Sequence, residues 1–131
     1  MADVIPNDFK PVFSKLAFAH LATLMPDGRP QVTPVWCEFD GRHILINSVV
    51  GRRKDKNMVR DGRVALSVTD PDNPYHYLEV RGRVVERTET GAVDHIHRLS
   101  QKYMGKPYPW LQPGERRVMY RIEPEHVTSM G

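Results

Sequence analysis

The chain has 131 residues, 40% apolar and 27% charged, with a formal net charge of +3. That length and mix predict one globular domain spanning the chain and argue against disorder or low complexity. No apolar run is long enough to span a bilayer. The first residues, MADVIPNDFK, lack the basic end and apolar stretch of a secretory leader, and Cys37 has no second cysteine to pair with. The expectation is a cytoplasmic protein without an internal disulfide.

Residues 7–16 carry Phe9, Val12, Phe13 and Leu16 at helical spacing, which predicts a short amphipathic helix capped by Asn7 or Asp8. AFAHLATL predicts the first strand, and MPDGRP a tight hairpin turn. QVTPVWCEF predicts a second strand, in which Pro34 implies a bulge or a missing ladder bond. Asp40 and Gly41 form the next turn, and HILINS the third strand. A basic segment follows, with room for about two helical turns. VALSVT predicts a fourth strand, DPDNPYH a loop, and YLEVRGRVVER a long fifth strand with a bulge at Gly82. Thr88 or Thr90 is expected to cap a helix running through Lys102, with Val93, Ile96 and Leu99 on one face. MGKPYPWLQPGE is a long Pro/Gly-rich loop of the kind that often carries function, and RRVMYRI a sixth strand. Hairpins dominate, so the expected class is mainly β: a small antiparallel six-stranded barrel with few short helices.

Charge is concentrated in one place. Residues 52–63 hold six basic and two acidic side chains, an excess of +4, so everything outside them sums to −1. A charge run is most often a solvated helix face. Here the charge is asymmetric, not alternating, and the run sits where a strand end meets a helix start. Gly51 permits a tight turn before it, and Asn47 and Ser48 stand at the strand end as possible donors. Those features suit a phosphate or another compact anion, with Arg as a bidentate fork and Lys as a point charge. On these residues alone, phosphate binding and solvation stand about even. A nucleic-acid surface is disfavoured because residues 48–69 contain no aromatic side chain for stacking.

Other groups are weaker signals. Tyr75 and Tyr77 share one side of a strand, where they pack or wall a flat ligand. Tyr108 and Trp110 on the Pro-rich loop form a substrate wall or staple the loop to the body. His95 and His97 are two apart on a helix and do not share a face, so no metal site is expected, and no nucleophile motif is present.

Taken in order, PQVTPVW, the Asp-Gly turn, HILINS, RRKDKN, DGRVALSV, YLEVRGRVVE, HRLSQKY, the YPW loop and RVMYRIEPEHV resemble the flavin/deazaflavin oxidoreductase superfamily. This is the split β-barrel group related to pyridoxamine 5′-phosphate oxidase, and the resemblance is nearest to its branch that uses the deazaflavin coenzyme F420. It implies a split β-barrel homodimer with cofactor sites at the subunit interface, and F420 as cofactor, with FMN the alternative. It also implies a phosphate held by Ser48, Arg52, Arg53, Lys54 and Asn57; Asn47 at the strand end is a further cofactor-binding candidate, and Arg60 and Arg63 are expected to be peripheral. The ring system is expected along Gln31, Thr33, Pro34 and Val35, with Tyr75 and Tyr77 reaching across from the partner subunit. Substrate is expected against Tyr108 and Trp110. The chain ends in HVTSMG with no Trp or Arg after Arg121, so pyridoxamine 5′-phosphate oxidase activity itself is not expected. A non-catalytic flavin- or tetrapyrrole-binding module is the other reading.

Overall fold

Two hairpins, turned at the expected Asp-Gly pairs, build the N-terminal part of one antiparallel sheet in the computed structural model, which describes residues 4–130. The strands are β1 (Ala19–Leu24), β2 (Pro30–Val35), β3 (Glu38–Phe39), β4 (Ile44–Val49), β5 (Arg63–Asp70), β6 (Asn73–Thr88) and β7 (Arg117–Met130). Their order is β2-β1-β5-β6-β7-β4-β3. The outermost strands, β2 and β3, are joined by only Trp36 and Cys37. The three Cα–Cα steps from Val35 to Glu38 reach at most ~11 Å, so the sheet must curl until its edges nearly meet. The result is a split β-barrel.

The interior is apolar. Leu21, Ile44, Ile46, Leu66, Val68, Leu78, Val80, Val118, Tyr120 and Ile122 are buried in one cluster, plugged at one end by Phe9, Val12 and Phe13. Helix α1 (Arg53–Arg60) follows β4. Helix α2 (Ala92–Met104) packs outside the barrel, where Leu45, Ala92 and Met119 form a second small cluster.

Several predicted elements change form. There are seven strands, not six, because the second predicted strand breaks at Trp36 and Cys37. Tyr103 Oη accepts the Cys37 N–H at 3.2 Å, and Lys102 Nζ donates to the Cys37 carbonyl at 2.6 Å, so that backbone turns away from the ladder. The N-terminal helix is a short 3-10 segment, Lys10–Ser14, without a side-chain cap from Asn7 or Asp8. Pro11 within its first turn removes a donor. The DPDNPYH loop shrinks because β6 begins at Asn73, and β7 runs past its predicted end to Met130. α2 is capped by Gly91 and not by a threonine; Thr88 Oγ1 instead accepts the Thr90 N–H at 3.1 Å. Val93 is exposed, and the buried face is Ala92, His95, Ile96 and Leu99. Pro34 sits on edge strand β2 in unbroken register with His20, so it makes no bulge.

The register does shift at Gly82, where β7 contributes the extra residue, Glu125. A Cβ on Gly82 would lie 2.2 Å from the Glu123 carbonyl oxygen, a backbone atom that cannot swing aside. Gly82→Ala is therefore expected to cost about 2 kcal/mol, read as a lower urea midpoint, because the strands must part to admit one methyl group. An unchanged midpoint would mean the strands separate there freely.

Candidate functional site

The turn from β4 into α1 is built around a glycine and an aspartate. The Arg52 N–H bonds the Val49 carbonyl at 3.2 Å, and Gly51 has φ +93°, the left-handed value that the third position of a type II turn requires. Asp55, one turn into α1, reaches back to accept the Gly51 N–H at 2.9 Å. Its carboxylate also takes the Arg87 guanidinium at 2.9 and 3.0 Å and the Tyr120 hydroxyl. Burial alone would raise its pKa, but these donors outweigh it and hold the carboxyl below its ordinary value. Burial and the Asp55 carboxylate push the Tyr120 phenol far up, so it stays a donor.

That turn carries cations the protein itself does not use. Among the described residues every arginine except Arg52 and Arg53 meets a carboxylate, an amide oxygen or a carbonyl of its own chain. Arg60 goes to the Leu24 carbonyl, and Arg63 to Asp61 at 2.7 Å. The side chains of Arg52, Arg53 and Lys54 make no hydrogen bond or ion pair among the described residues. Lys54 is half-buried, and burial, then the Arg52 charge, lowers its pKa. A protein that pairs its other guanidinium groups this thoroughly, yet gathers three unpaired cations on one turn, leaves room there for an outside anion.

Lys54 also borders a cleft of about 250 Å³ at the seam of the sheet. Pro34, Val35 and Trp36 form one side, Asn47 and Arg117 the floor, and Tyr108 and Trp110 the far wall. The aromatic lining is continuous. Trp36 stacks on Tyr103 at 5.2 Å, Tyr108 meets the edge of Trp36 at 6.2 Å, and Trp110 meets Tyr108 at 5.6 Å. The Pro-rich loop is both staple and wall: His97 Nδ1 accepts the Tyr108 N–H at 3.0 Å, while Trp110 is 54% exposed at the mouth. Arg117 is 5% exposed, its guanidinium 5.1 Å from the Tyr108 ring centroid and its Nη1 without a hydrogen bond. A second hollow, near Ala22, Leu24 and Ala65, has its charged rim paired off, Arg63 with Asp61 and Arg81 with Glu79.

Six of the predicted site residues line the Lys54 cleft: Pro34, Val35, Asn47, Lys54, Tyr108 and Trp110. Asn47 and Ser48 are strand neighbours and face opposite ways. Asn47 is on the cleft side, and Ser48 shares the barrel face of Ile44 and Ile46, its buried Oγ without a partner. Asn57 is fully buried and donates to Thr23 Oγ1 at 3.0 Å, which ties α1 to β1. Gln31 and Thr33 lie on the inward side of β2, with Gln31 Oε1 3.4 Å from Thr23 Oγ1. Tyr75 and Tyr77 stand at the start of β6 outside their own chain's cleft, Tyr75 73% exposed. Arg117, Trp36 and Asp55 were not predicted as site residues. Trp36 had a signal, being the last residue of the PQVTPVW motif.

A split barrel with an aromatic cleft at its seam and spare cations beside it defines the frame of a flavin-type oxidoreductase. Residues 5–131 match the family described as pyridoxamine 5′-phosphate oxidase. The chain belongs to that family, within the flavin/deazaflavin oxidoreductase superfamily. Among solved structures, an F420 reductase is 32% identical over 95% of this chain and 98% of its own, with TM-score 0.84. A conserved hypothetical protein from Mycobacterium tuberculosis is 23% identical, covering 98% of this chain and 86% of its own, with TM-score 0.75. A pyridoxamine 5′-phosphate oxidase-like protein from Listeria innocua is 18% identical, covering 94% and 95%, with TM-score 0.72. The last two share the fold. No helix among the described residues is long and apolar enough to cross a membrane.

Proposed function

We propose that the protein is an F420H2-dependent reductase acting on an electron-poor double bond, such as an enone, a quinone or a tetrapyrrole bridge. The observation that carries this is the turn of unpaired cations, Arg52, Arg53 and Lys54, opening beside an aromatic cleft. The F420 tail bears a phosphate and several carboxylates, so a local group of cations suits it better than a single contact would. Likeness to a solved F420 reductase supports the same choice over FMN. When bound, the reduced deazaflavin supplies the hydride.

The chain's own residues bind, orient and shield. Arg52, Arg53 and Lys54 hold the anionic arm, and Ser48, Asn47 and Asn57 shape the strand and helix from which those cations extend. Gln31, Thr33, Pro34 and Val35 form the edge along which a flat ring lies. Trp36, Tyr108 and Trp110 exclude water from the cleft, and Tyr108 brings the one hydroxyl among its lining side chains, placed to give up a proton. At about 250 Å³ the cleft of one chain falls short of ordinary ligand pockets. A homodimer, with Tyr75 and Tyr77 of each copy completing the other's site, makes up the difference.

Fluorescence titration with oxidised F420 and with FMN tests the reading, with sedimentation of the same sample. The expected outcome is saturable F420 binding at least about tenfold tighter than FMN, a difference of ~1.4 kcal/mol, by a dimer. FMN binding without F420 binding would overturn the cofactor choice. Binding of F420H2 without turnover of enones, quinones or tetrapyrroles would make the protein a binding module. Full binding by a monomer would remove the shared site.

A further inference from the structure

The Asn47 amide is fully engaged inside its own chain. Its Nδ2 lies 2.9 Å from the Ala92 carbonyl oxygen and 3.0 Å from His95 Nδ1, while its Oδ1 accepts from Arg117 Nε at 2.9 Å. A backbone carbonyl only accepts and a guanidinium only donates, so these two neighbours decide which end of the amide is which. Nδ2 must then donate to His95, and His95 Nδ1 must accept. A neutral imidazole that accepts at Nδ1 carries its proton on Nε2.

The far side of the ring agrees. His95 is fully buried, and its Nε2 lies 3.2 Å from Glu38 Oε1, in ion-pair range though off the line of a straight hydrogen bond. Burial alone would raise the Glu38 pKa, but the contacts from His95 and Arg98 outweigh it and bring it to about 2. Arg98 clasps the same carboxylate at 3.1 and 2.6 Å. An ionised acceptor therefore faces Nε2, and the donors point in one direction, from Arg117 on β7 in the cleft wall through Asn47 on β4 and His95 to Glu38 on β3.

We propose that His95 is a positioning residue: as the Nε2–H tautomer it locks the Asn47 amide, and through Asn47 it holds the Arg117 guanidinium in the cleft wall against Tyr108. If His95 only filled space, its tautomer would be indifferent to Asn47, and a leucine would serve as well. Fixing Arg117 matters because its Nη1 makes no hydrogen bond and its nearest acid is Glu115 at 3.5 Å, so Asn47 is the neighbour that sets its pose. That this pose serves the reaction rests on the cleft being the reactive site; the tautomer and the amide orientation do not.

Nitrogen-15 NMR of the purified protein without added cofactor reads both, whatever ligand the cleft takes. In the wild type, the His95 ring is expected to show a bare Nδ1 and a protonated Nε2 at neutral pH. In Asn47→Asp the donor facing Nδ1 is gone and a carboxylate that only accepts replaces it, so His95 is expected to become the doubly protonated imidazolium. In His95→Leu the Arg117 Nε–H is expected to exchange with water about tenfold faster, the scale of one lost hydrogen bond to a charged group. In His95→Gln, which can accept from Asn47 and donate to Glu38, the wild-type exchange rate is expected to return. A wild-type ring protonated at Nδ1 overturns the proposal, as does an imidazole state unchanged in Asn47→Asp. If His95→Leu does not fold, those two ring measurements still decide it. If it folds and Arg117 exchange does not move, the coupling is absent.

Discussion

Asp55→Ala is expected to lose about 3 kcal/mol of stability, the scale for removing one partner of a buried ion pair. Asp55 is 3% exposed, and its two oxygens serve four donors: the Gly51 N–H, two nitrogens of Arg87 and the Tyr120 hydroxyl. Alanine leaves the Tyr120 hydroxyl in the core without an acceptor and strands a guanidinium that is only about a third exposed. Water reaches Arg87 in part, which keeps the loss at the low end of the range for buried pairs. Asp55→Asn retains an acceptor and should lose less. The sign with pH follows from the depressed carboxyl. Its stabilisation is full above the ordinary value of 3.8, and it is lost as pH falls through the lower folded-state value. The gap between wild type and Asp55→Asn in urea midpoint should therefore be widest near neutrality and close in acid. A gap that stays constant below the ordinary carboxyl range would show that Asp55 is not ionised in the fold.

Asp55 also marks where the sequence stops being legible. The cation window, the helix after it and the glycine before it are local, and residues 51–60 spell them out. The acid within that window counts only as a subtraction of charge until Arg87 from β6 and Tyr120 from β7 arrive around it. The same holds at Trp36 and Cys37. The ladder runs unbroken through Pro34, the one strand-disrupting residue beside them, and the groups that capture the Cys37 backbone, Lys102 and Tyr103, lie 65 and 66 residues away. Ser48 and Asn47 show the opposite fault. Their adjacency suggests one shared ligand, but a pleated strand turns neighbours to opposite faces, and strand period alone was enough to separate them. The hairpins and the Gly82 irregularity were readable because turn residues and a missing side chain act locally. Arg117 was not, since nothing in GERRVMYR says which of two adjacent arginines turns under α2.

Arg53→Ala combined with Lys54→Ala is expected to weaken binding of a phosphate-bearing cofactor about a hundredfold, roughly tenfold for each charge-assisted contact if the two act independently. Neither side chain has a hydrogen-bond or ion-pair partner among the described residues, so no such contact is lost when they go, and the urea midpoint should hold. Lys54 is disfavoured in the fold by its own burial and then by the Arg52 charge, which points to a slightly higher midpoint if anything. This opposition of effects, lost affinity with kept stability, separates a ligand site from a solvated charged face. The solvated face would lose neither, and a structural cation would lose both. Two controls sharpen it. Affinity of the wild type should fall as salt is raised, and the double variant should show a flatter dependence, because fewer charges are screened. Riboflavin, which lacks the phosphate, should bind wild type and variant alike. If FMN and F420 bind the variant as tightly as the wild type, the anion sits elsewhere, and the uncompensated charge of the turn has another use.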